Sequence, residues 1–399
     1  MQRSTPRHAP DDAITIDVTS ALKQGGGIGR ATRGLVWGLA ALDAQRPYRL
    51  LHARDAVPNP TWPLGDNFYW HALPFDERQS SFLWHRLAIP MPLEWIGVRS
   101  ALYHGPDYIV PPLRHTPSLV TIHDLSYELF DNVHEAPLRA YLQRAVPRSI
   151  ERADQLIAVS QSTRDELIRC YDLSPEQISV IYSGVEPRFR PLDVSNAEEE
   201  ALLEQGRATF RLDRPFVLCV ATIEPRKNLS TLVRAFAQFR RAHPESDAEL
   251  LLAGGRGWLG QREKLTALIQ AEGLGGNVRL LGFVDDDLLP ALLNEARLLA
   301  YPSLHEGFGL PVLEALACGT PTITARNSSL PEAGGDAAYY IDQATDIAAL
   351  AHALATVWYD DTLRATMRER GLAHASQFTW QRTAQQALAL YQRMGAAVG

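Results

Sequence analysis

Apolar runs of strand length alternate with stretches of helical periodicity along this chain, in two successive series, and no other feature restricts the fold as strongly. In the first series Ala13 to Val18 reads as a strand, Gly25-Gly26-Gly27-Ile28-Gly29 as a loop and Arg30 to Asp43 as a helix. Ser118 to His123 and Gln155 to Ser160 read as buried strands, and the helices Leu138 to Arg152 and Thr163 to Tyr171 follow them. Ile178 to Ile181 closes this half, and Ser183 to Pro191 with the acidic residues 198–200 has the composition of a connection. The pattern then restarts: strands at Phe216 to Ala221, Glu249 to Ala253, Val278 to Phe283, Arg297 to Tyr301 and Thr322 to Thr324, with helices at Leu229 to Ala242, Arg262 to Glu272 and Leu288 to Ala296 between them. Two βαβ series predict an α/β protein with two doubly wound, Rossmann-like parallel sheets. The 399 residues also exceed what one hydrophobic core supports. The expected division is 1–190, 191–376 and a terminal segment 377–399, whose helix, about Thr379 to Met394, packs back on the N-terminal domain. Ligands of such sheets lie at the carboxyl ends of strands, so the expected site is a central cleft that the two domains face.

The stretch from Ser303 to Leu316 is the densest in chemical content. A buried strand leads into the glycine-bearing loop His305-Glu306-Gly307-Phe308-Gly309-Leu310, and Pro311 suits the first turn of a helix, where its missing N–H costs nothing. The backbone N–H groups of Gly307, Phe308, Gly309 and Leu310, with the positive end of the helix dipole, suit an anion such as phosphate. Glu306 in the loop and Glu314 one turn into the helix are acceptors for the paired hydroxyls of a sugar or ribose.

Arg226 and Lys227 follow the strand Phe216 to Ala221 and could clamp a diphosphate; the competing interpretation is a solvated basic pair at a helix start. Lysine occurs only three times, at 23, 227 and 264, which favours the clamp slightly. Gly25 to Gly29 lacks the third glycine of a dinucleotide fingerprint and fits a phosphate-facing loop or a plain turn equally well. His123 ends a buried strand and could touch substrate or carry a proton, or could be a satisfied structural histidine. Asp285-Asp286-Asp287 resembles a metal-holding aspartate run, but its place before a helix favours capping, and no metal is assigned. The aromatic tract Phe82 to Ile96 could meet lipid, although its prolines favour core packing.

A net charge of −7 argues against a nucleic-acid partner. Three scattered cysteines without metal spacing fit a reducing cytoplasm, and the polar start Met1 to Pro6 lacks a signal-peptide apolar core. No apolar run approaches the roughly 18 residues of a spanning helix, which leaves peripheral association with a membrane face open.

Order and spacing together carry a family resemblance. The glycine loop at 25–29, His123-Asp124, Ser183-Gly184-Val185, Pro225-Arg226-Lys227-Asn228, and Glu306 with Glu314 seven intervening residues on resemble the retaining GT-B glycosyltransferases of family 4. The match is strongest to bacterial mannosyltransferases of surface polysaccharide and lipopolysaccharide synthesis. The resemblance implies that Glu314 binds the nucleotide ribose and Glu306 faces the transferred sugar. It implies that Phe308, Gly309 and Leu310 hold sugar and phosphate oxygens, that Lys227 neutralises the leaving diphosphate, that His123 reaches the sugar, and that the loop at Gly27 approaches the diphosphate. Many members carry an arginine where Thr222 stands here, and Arg226 is the candidate replacement. The implied reaction is metal-independent and cofactor-free transfer of a hexose, mannose from GDP-mannose or a sugar from a UDP donor. The implied acceptor is a saccharide or lipid-linked saccharide at the cytoplasmic face of the inner membrane. A nucleotide-sugar epimerase and a non-catalytic sugar-nucleotide-binding subunit are the competing interpretations.

Overall fold

In the computed structural model, which describes residues 9–86, 89–258 and 260–395, the two series form two separate all-parallel sheets. The polar start Met1 to Pro6 and, within the aromatic tract, Leu87 and Ala88 lie outside the described residues. The first sheet comprises β1 (Ile14–Asp17), β2 (Tyr48–His52), β3 (Phe68–Ala72), β4 (Leu102–Gly105), β5 (Ser118–Ile122), β6 (Gln155–Ala158) and β7 (Ile178–Val180), in the order β3-β2-β1-β4-β5-β6-β7. The second comprises β8 (Phe216–Val220), β9 (Glu249–Ala253), β10 (Val278–Gly282), β11 (Leu298–Tyr301), β12 (Thr322–Ala325) and β13 (Tyr339–Ile341), in the order β10-β9-β8-β11-β12-β13. Both are doubly wound, as the alternation predicts, and the strand order reverses between β1 and β4 in one sheet and between β8 and β11 in the other.

Several elements depart from the sequence expectation. β2 is fully buried yet carries Arg49 and His52, which break its apolar run. The Arg49 guanidinium is held internally through its two Nη groups, which donate to Thr15 Oγ1 at 3.2 Å and to the carbonyls of Ala9 and Pro10 at 3.1 Å. The expected glycine loop is shorter than its glycines suggest, because the helix already begins at Gly27 and runs to Leu42. Gly29 lies inside that helix, and a Cβ there would sit 2.1 Å from the Gln24 carbonyl oxygen, so close packing rather than loop flexibility demands glycine. The acidic residues 198–200, read as part of a connection, form the first turn of a helix, Ala197–Phe210. Asn196 caps it by accepting from the N–H groups of Glu198 and Glu199, and the acidic side chains favour the helix dipole.

The chain divides into two compact units, one built from the chain up to Leu129, Ala136–Gly184 and the chain from Phe378 onward, the other from Phe130–Glu135 and Val185–Gln377. Within the first unit the helix Trp380–Arg393 lies along the helix Gly27–Leu42. It buries Trp380, Thr383, Ala384, Ala387, Leu390 and Tyr391, a single helical face. A Cβ on Gly34 would fall 2.1 Å from the Trp380 ring, and one on Gly38 2.4 Å from the Trp380 carbonyl oxygen. The second unit closes its sheet with the helices Leu229–Ala242 and Ile347–Tyr359, where Phe239 meets Trp358 edge-on at 5.9 Å.

The aromatic tract divides between core and surface. Trp84 and Leu93 are buried with Tyr103 and Val120, whereas Phe82, Ile89 and Trp95 are exposed. Among the described residues no helix is long and apolar enough to cross a membrane.

Candidate active site

The second sheet reverses between β8 and β11, so the loops leaving the carboxyl ends of these neighbouring strands must diverge from a common point. The first carries Glu224, Arg226 and Lys227, the second Ser303 to Gly309, and backbone and side-chain bonds join them. Leu304 N–H donates to the Arg226 carbonyl at 2.8 Å, and Ser303 Oγ donates to the same oxygen at 3.0 Å. Arg226 Nη1 donates to the His305 carbonyl at 2.9 Å. Asn228 adopts a left-handed backbone at φ 57°, which asparagine tolerates, and its amide donates to the carbonyls of Pro302 and Ala344 at 3.1 and 2.7 Å.

This framework brings Arg226, Lys227 and Glu306 together although they are far apart in sequence. Lys227 Nζ donates to Glu306 Oε1 at 2.7 Å, and Arg226 Nη1 to Glu306 Oε2 at 3.0 Å. Tyr301, the last residue of β11, donates its hydroxyl to Glu306 Oε1 at 2.9 Å and accepts from Lys227 Nζ at 2.9 Å. Glu224 adds a second carboxylate, 2.9 Å from Arg226 Nη2 and 3.9 Å from Lys227 Nζ. Burial alone would raise the Glu306 carboxyl, but Arg226 and Lys227 outweigh it and hold it at about 2. Burial drives the Tyr301 phenol well above its usual value, and the Glu306 carboxylate adds to the effect, so both act in their ordinary protonation states at neutral pH. The Glu306 backbone is fixed as well: its N–H donates to Ser328 Oγ at 2.9 Å and its carbonyl accepts from Ser329 Oγ at 2.8 Å.

Beyond Glu306 the chain passes Gly307 and Phe308 to Gly309, whose φ of 106° is a backbone state that side chains rarely adopt. The helix Leu310–Ala317 starts there, with Pro311 in its first turn. Glu314 lies one turn in and is buried. The first N–H groups of any helix lack intrahelical acceptors, so this one opens immediately after the cation and carboxylate cluster in the chain.

Gly27 and His123 belong to the first unit. His123 Nε2 lies 2.8 Å from the Pro106 carbonyl, which can only accept, so the proton resides on Nε2 and Nδ1 is an acceptor. Burial lowers the His123 pKa, with the Pro106 contact opposing it, and the ring is neutral near pH 7. His123 lines a cavity of about 40 Å³ with Thr32, His104, Thr121 and Trp380, and Thr32 belongs to the helix that Gly27 begins. The Asp285 run sits in the second unit, where Asp286 and Asp287 lie 3.7 and 3.2 Å from Arg188 and the Asp287 N–H donates to Asp285 Oδ1 at 3.0 Å. That arrangement is a helix-leading turn with ion pairs, and among the described residues no group of three or more His, Cys, Asp or Glu is placed to hold a metal.

Tyr301 and Glu224 complete the cluster but were not singled out from the sequence. The available signal for Tyr301 was a phenol at the carboxyl end of an otherwise apolar strand. For Glu224 it was a carboxylate directly ahead of the Pro225-Arg226-Lys227 turn.

Residues 25–189 match the family described as Glycosyltransferase Family 4, and residues 204–374 the family described as Glycosyl transferases group 1. Over 374 residues the chain is 31% identical to O-antigen chain mannosyltransferase B of Escherichia coli, covering 92% of this chain and 95% of that protein. A stretch of 251 residues, 61% of this chain, is 33% identical to the serotype-specific mannosyltransferase WbdA of Escherichia coli, and spans 29% of that longer protein. Among solved structures, a sucrose-phosphate synthase from Thermosynechococcus elongatus superposes with a TM-score of 0.74 at 22% identity, over 97% of this chain and 100% of that one. That likeness concerns the fold, which is GT-B.

Proposed function

This chain belongs to the family 4 and group 1 glycosyltransferases, and on that footing we propose that it transfers mannose from GDP-mannose to a saccharide acceptor. The acceptor in this proposal is carried on a lipid during surface polysaccharide synthesis, at the cytoplasmic membrane face, and the anomeric configuration is retained. The names of the related mannosyltransferases support the hexose, and the family resemblance supports the guanine nucleotide.

The observation that carries the assignment is the meeting of Arg226 and Lys227 with the loop of Glu306 at the reversal of the second sheet, directly before the helix that holds buried Glu314. Lys227 and Arg226 neutralise the diphosphate, N–H groups of Phe308, Gly309 and Leu310 bind its oxygens, and Glu314 accepts from the ribose hydroxyls. Gly307 completes the donor contacts proposed within the second unit; for Gly27 and His123 of the first unit the family resemblance alone supports a donor role, and neutral His123 has a hydrogen bond acceptor at Nδ1. In the transfer step the bond from the sugar's anomeric carbon to the diphosphate oxygen breaks, and the nucleoside diphosphate leaves with the electron pair. The acceptor hydroxyl forms the new bond on the same face and gives its proton to a diphosphate oxygen. Preorganised cations supply the positive charge that this step needs, which supports a reaction without metal.

Calorimetric titration with GDP-mannose, UDP-glucose, GDP and UDP in EDTA tests the donor. GDP-mannose should bind, and Glu314→Ala should weaken that binding by about 2 kcal/mol or more, the cost of losing a charged acceptor. Preference for a uridine donor would replace the guanine assignment, and absence of binding to all four would remove the donor site. A trapped glycosyl adduct on Glu306 would exclude the single-face transfer.

A further inference from the structure

The cation pair assigned to the diphosphate is already balanced by the protein. Arg226 and Lys227 carry two positive charges, and Glu224 and Glu306 carry two negative charges within ion-pair distance of them. Glu306 is the better placed of the two carboxylates, with one oxygen on each cation, at 3.0 and 2.7 Å. This bidentate arrangement is the one a phosphate would adopt between an arginine and a lysine. Tyr301 donates to the same Oε1 that Lys227 holds, so the carboxylate is kept on the ammonium by the strand beneath it. All four charged side chains are largely buried, with 5 to 13% of their surface exposed, so water screens these interactions weakly.

We propose that Glu306 is an internal counter-anion for Arg226 and Lys227, and that nucleoside diphosphates bind in competition with its carboxylate. The proposal rests on the donor-site assignment above and adds a role for Glu306 that a sugar-facing ligand does not require. The carboxylate keeps these two buried cations from standing uncompensated. When a diphosphate arrives, the cations are shared or surrendered, and Glu306 is released toward the hydroxyl groups of the sugar. Occupancy of the phosphate position and positioning of the sugar are thereby coupled through one side chain. The same arrangement lowers affinity for the nucleoside diphosphate product, since the carboxylate returns to the cations as the product leaves.

The test is the affinity of Glu306→Gln for GDP and UDP, measured by calorimetry beside the wild type at pH 7 in EDTA. The amide keeps the shape and removes the charge. One anion removed from two weakly screened cations should raise nucleoside diphosphate affinity by about tenfold or more, while sugar transfer falls. Glu224→Gln is the companion variant, with a smaller rise expected because Glu224 pairs closely with Arg226 alone, and it carries the same test of sign if Glu306→Gln folds poorly. Unchanged or weakened diphosphate binding in a folded variant, with the wild type binding normally, overturns the counter-anion role and leaves the donor site standing. If the wild type binds neither GDP nor UDP, the donor-site assignment fails and the counter-anion role fails with it.

Discussion

Glu306 makes a quantitative prediction about the stability of the second unit, independent of any ligand. A carboxyl held at about 2 against an ordinary 4.5 contributes about 3 kcal/mol at neutral pH. Because the folded-state value is depressed, the contribution is fully present above 4.5 and is lost as pH falls from there toward 2. Glu306→Gln resembles the protonated side chain at every pH, so the variant should be about 3 kcal/mol less stable than wild type at pH 7. That gap should hold to about pH 5 and close progressively at lower pH. Such a loss is large against the 5–15 kcal/mol of a typical domain, yet leaves the variant folded. Amide hydrogen exchange in urea, read on the β11 peptide Leu298–Tyr301, reports on this unit alone, and comparing both proteins at one pH cancels the intrinsic exchange rate. A gap that is absent at pH 7, or of equal size at pH 7 and pH 3, would refute the claim that Arg226 and Lys227 hold this carboxylate ionised.

Tyr301→Phe keeps the ring and removes a buried hydroxyl with two charged partners, and it should cost about 1–3 kcal/mol by thermal unfolding. Gly34→Ala gains about 1 kcal/mol of helix propensity but drives a methyl into the Trp380 ring at an overpacking cost near the upper end of about 1–3 kcal/mol, so it should destabilise by a net of about 1–2 kcal/mol. Loss of amide protection in Trp380–Arg393 would locate that effect at the helix contact. Asp286→Asn and Asp287→Asn break partly exposed ion pairs to Arg188, so sugar transfer should change by less than about twofold and remain insensitive to EDTA, whereas a metal requirement abolished by either change would contradict this placement.

The sheets were legible where strands are apolar over all or nearly all of their length. Phe216–Val220, Glu249–Ala253 and Leu298–Tyr301 stand out because a parallel strand covered on both faces needs apolar side chains on both. β2 escaped because the Nη groups of its buried Arg49 bond to distant carbonyls and hydroxyls, which no local window can reveal. The helix start at Gly27 was misplaced for a related reason. Glycine has poor helix propensity, and Gly29 is present because the Gln24 carbonyl passes too close for a side chain.

The same distinction governs the site. The residue types of Arg226, Lys227, Glu306 and Glu314 are informative wherever they lie, because cations after one strand and carboxylates after another suit phosphate and hydroxyl groups. Their mutual arrangement is not contained in those types. Lys227 and Glu306 are 79 positions apart, and only the reversal of strand order between β8 and β11 makes their loops neighbours. That reversal also explains why the cluster contains its own anions. Arg226 and Lys227 are nearly buried at the mouth of a sheet, and two uncompensated cations there would cost several kcal/mol each. On the donor-site proposal, resident carboxylates offset those cations whenever no diphosphate holds them. Those carboxylates must in turn be weak enough competitors to yield. Glu224 and Glu306 meet the first requirement in the structure, and the diphosphate affinity of Glu306→Gln measures the second.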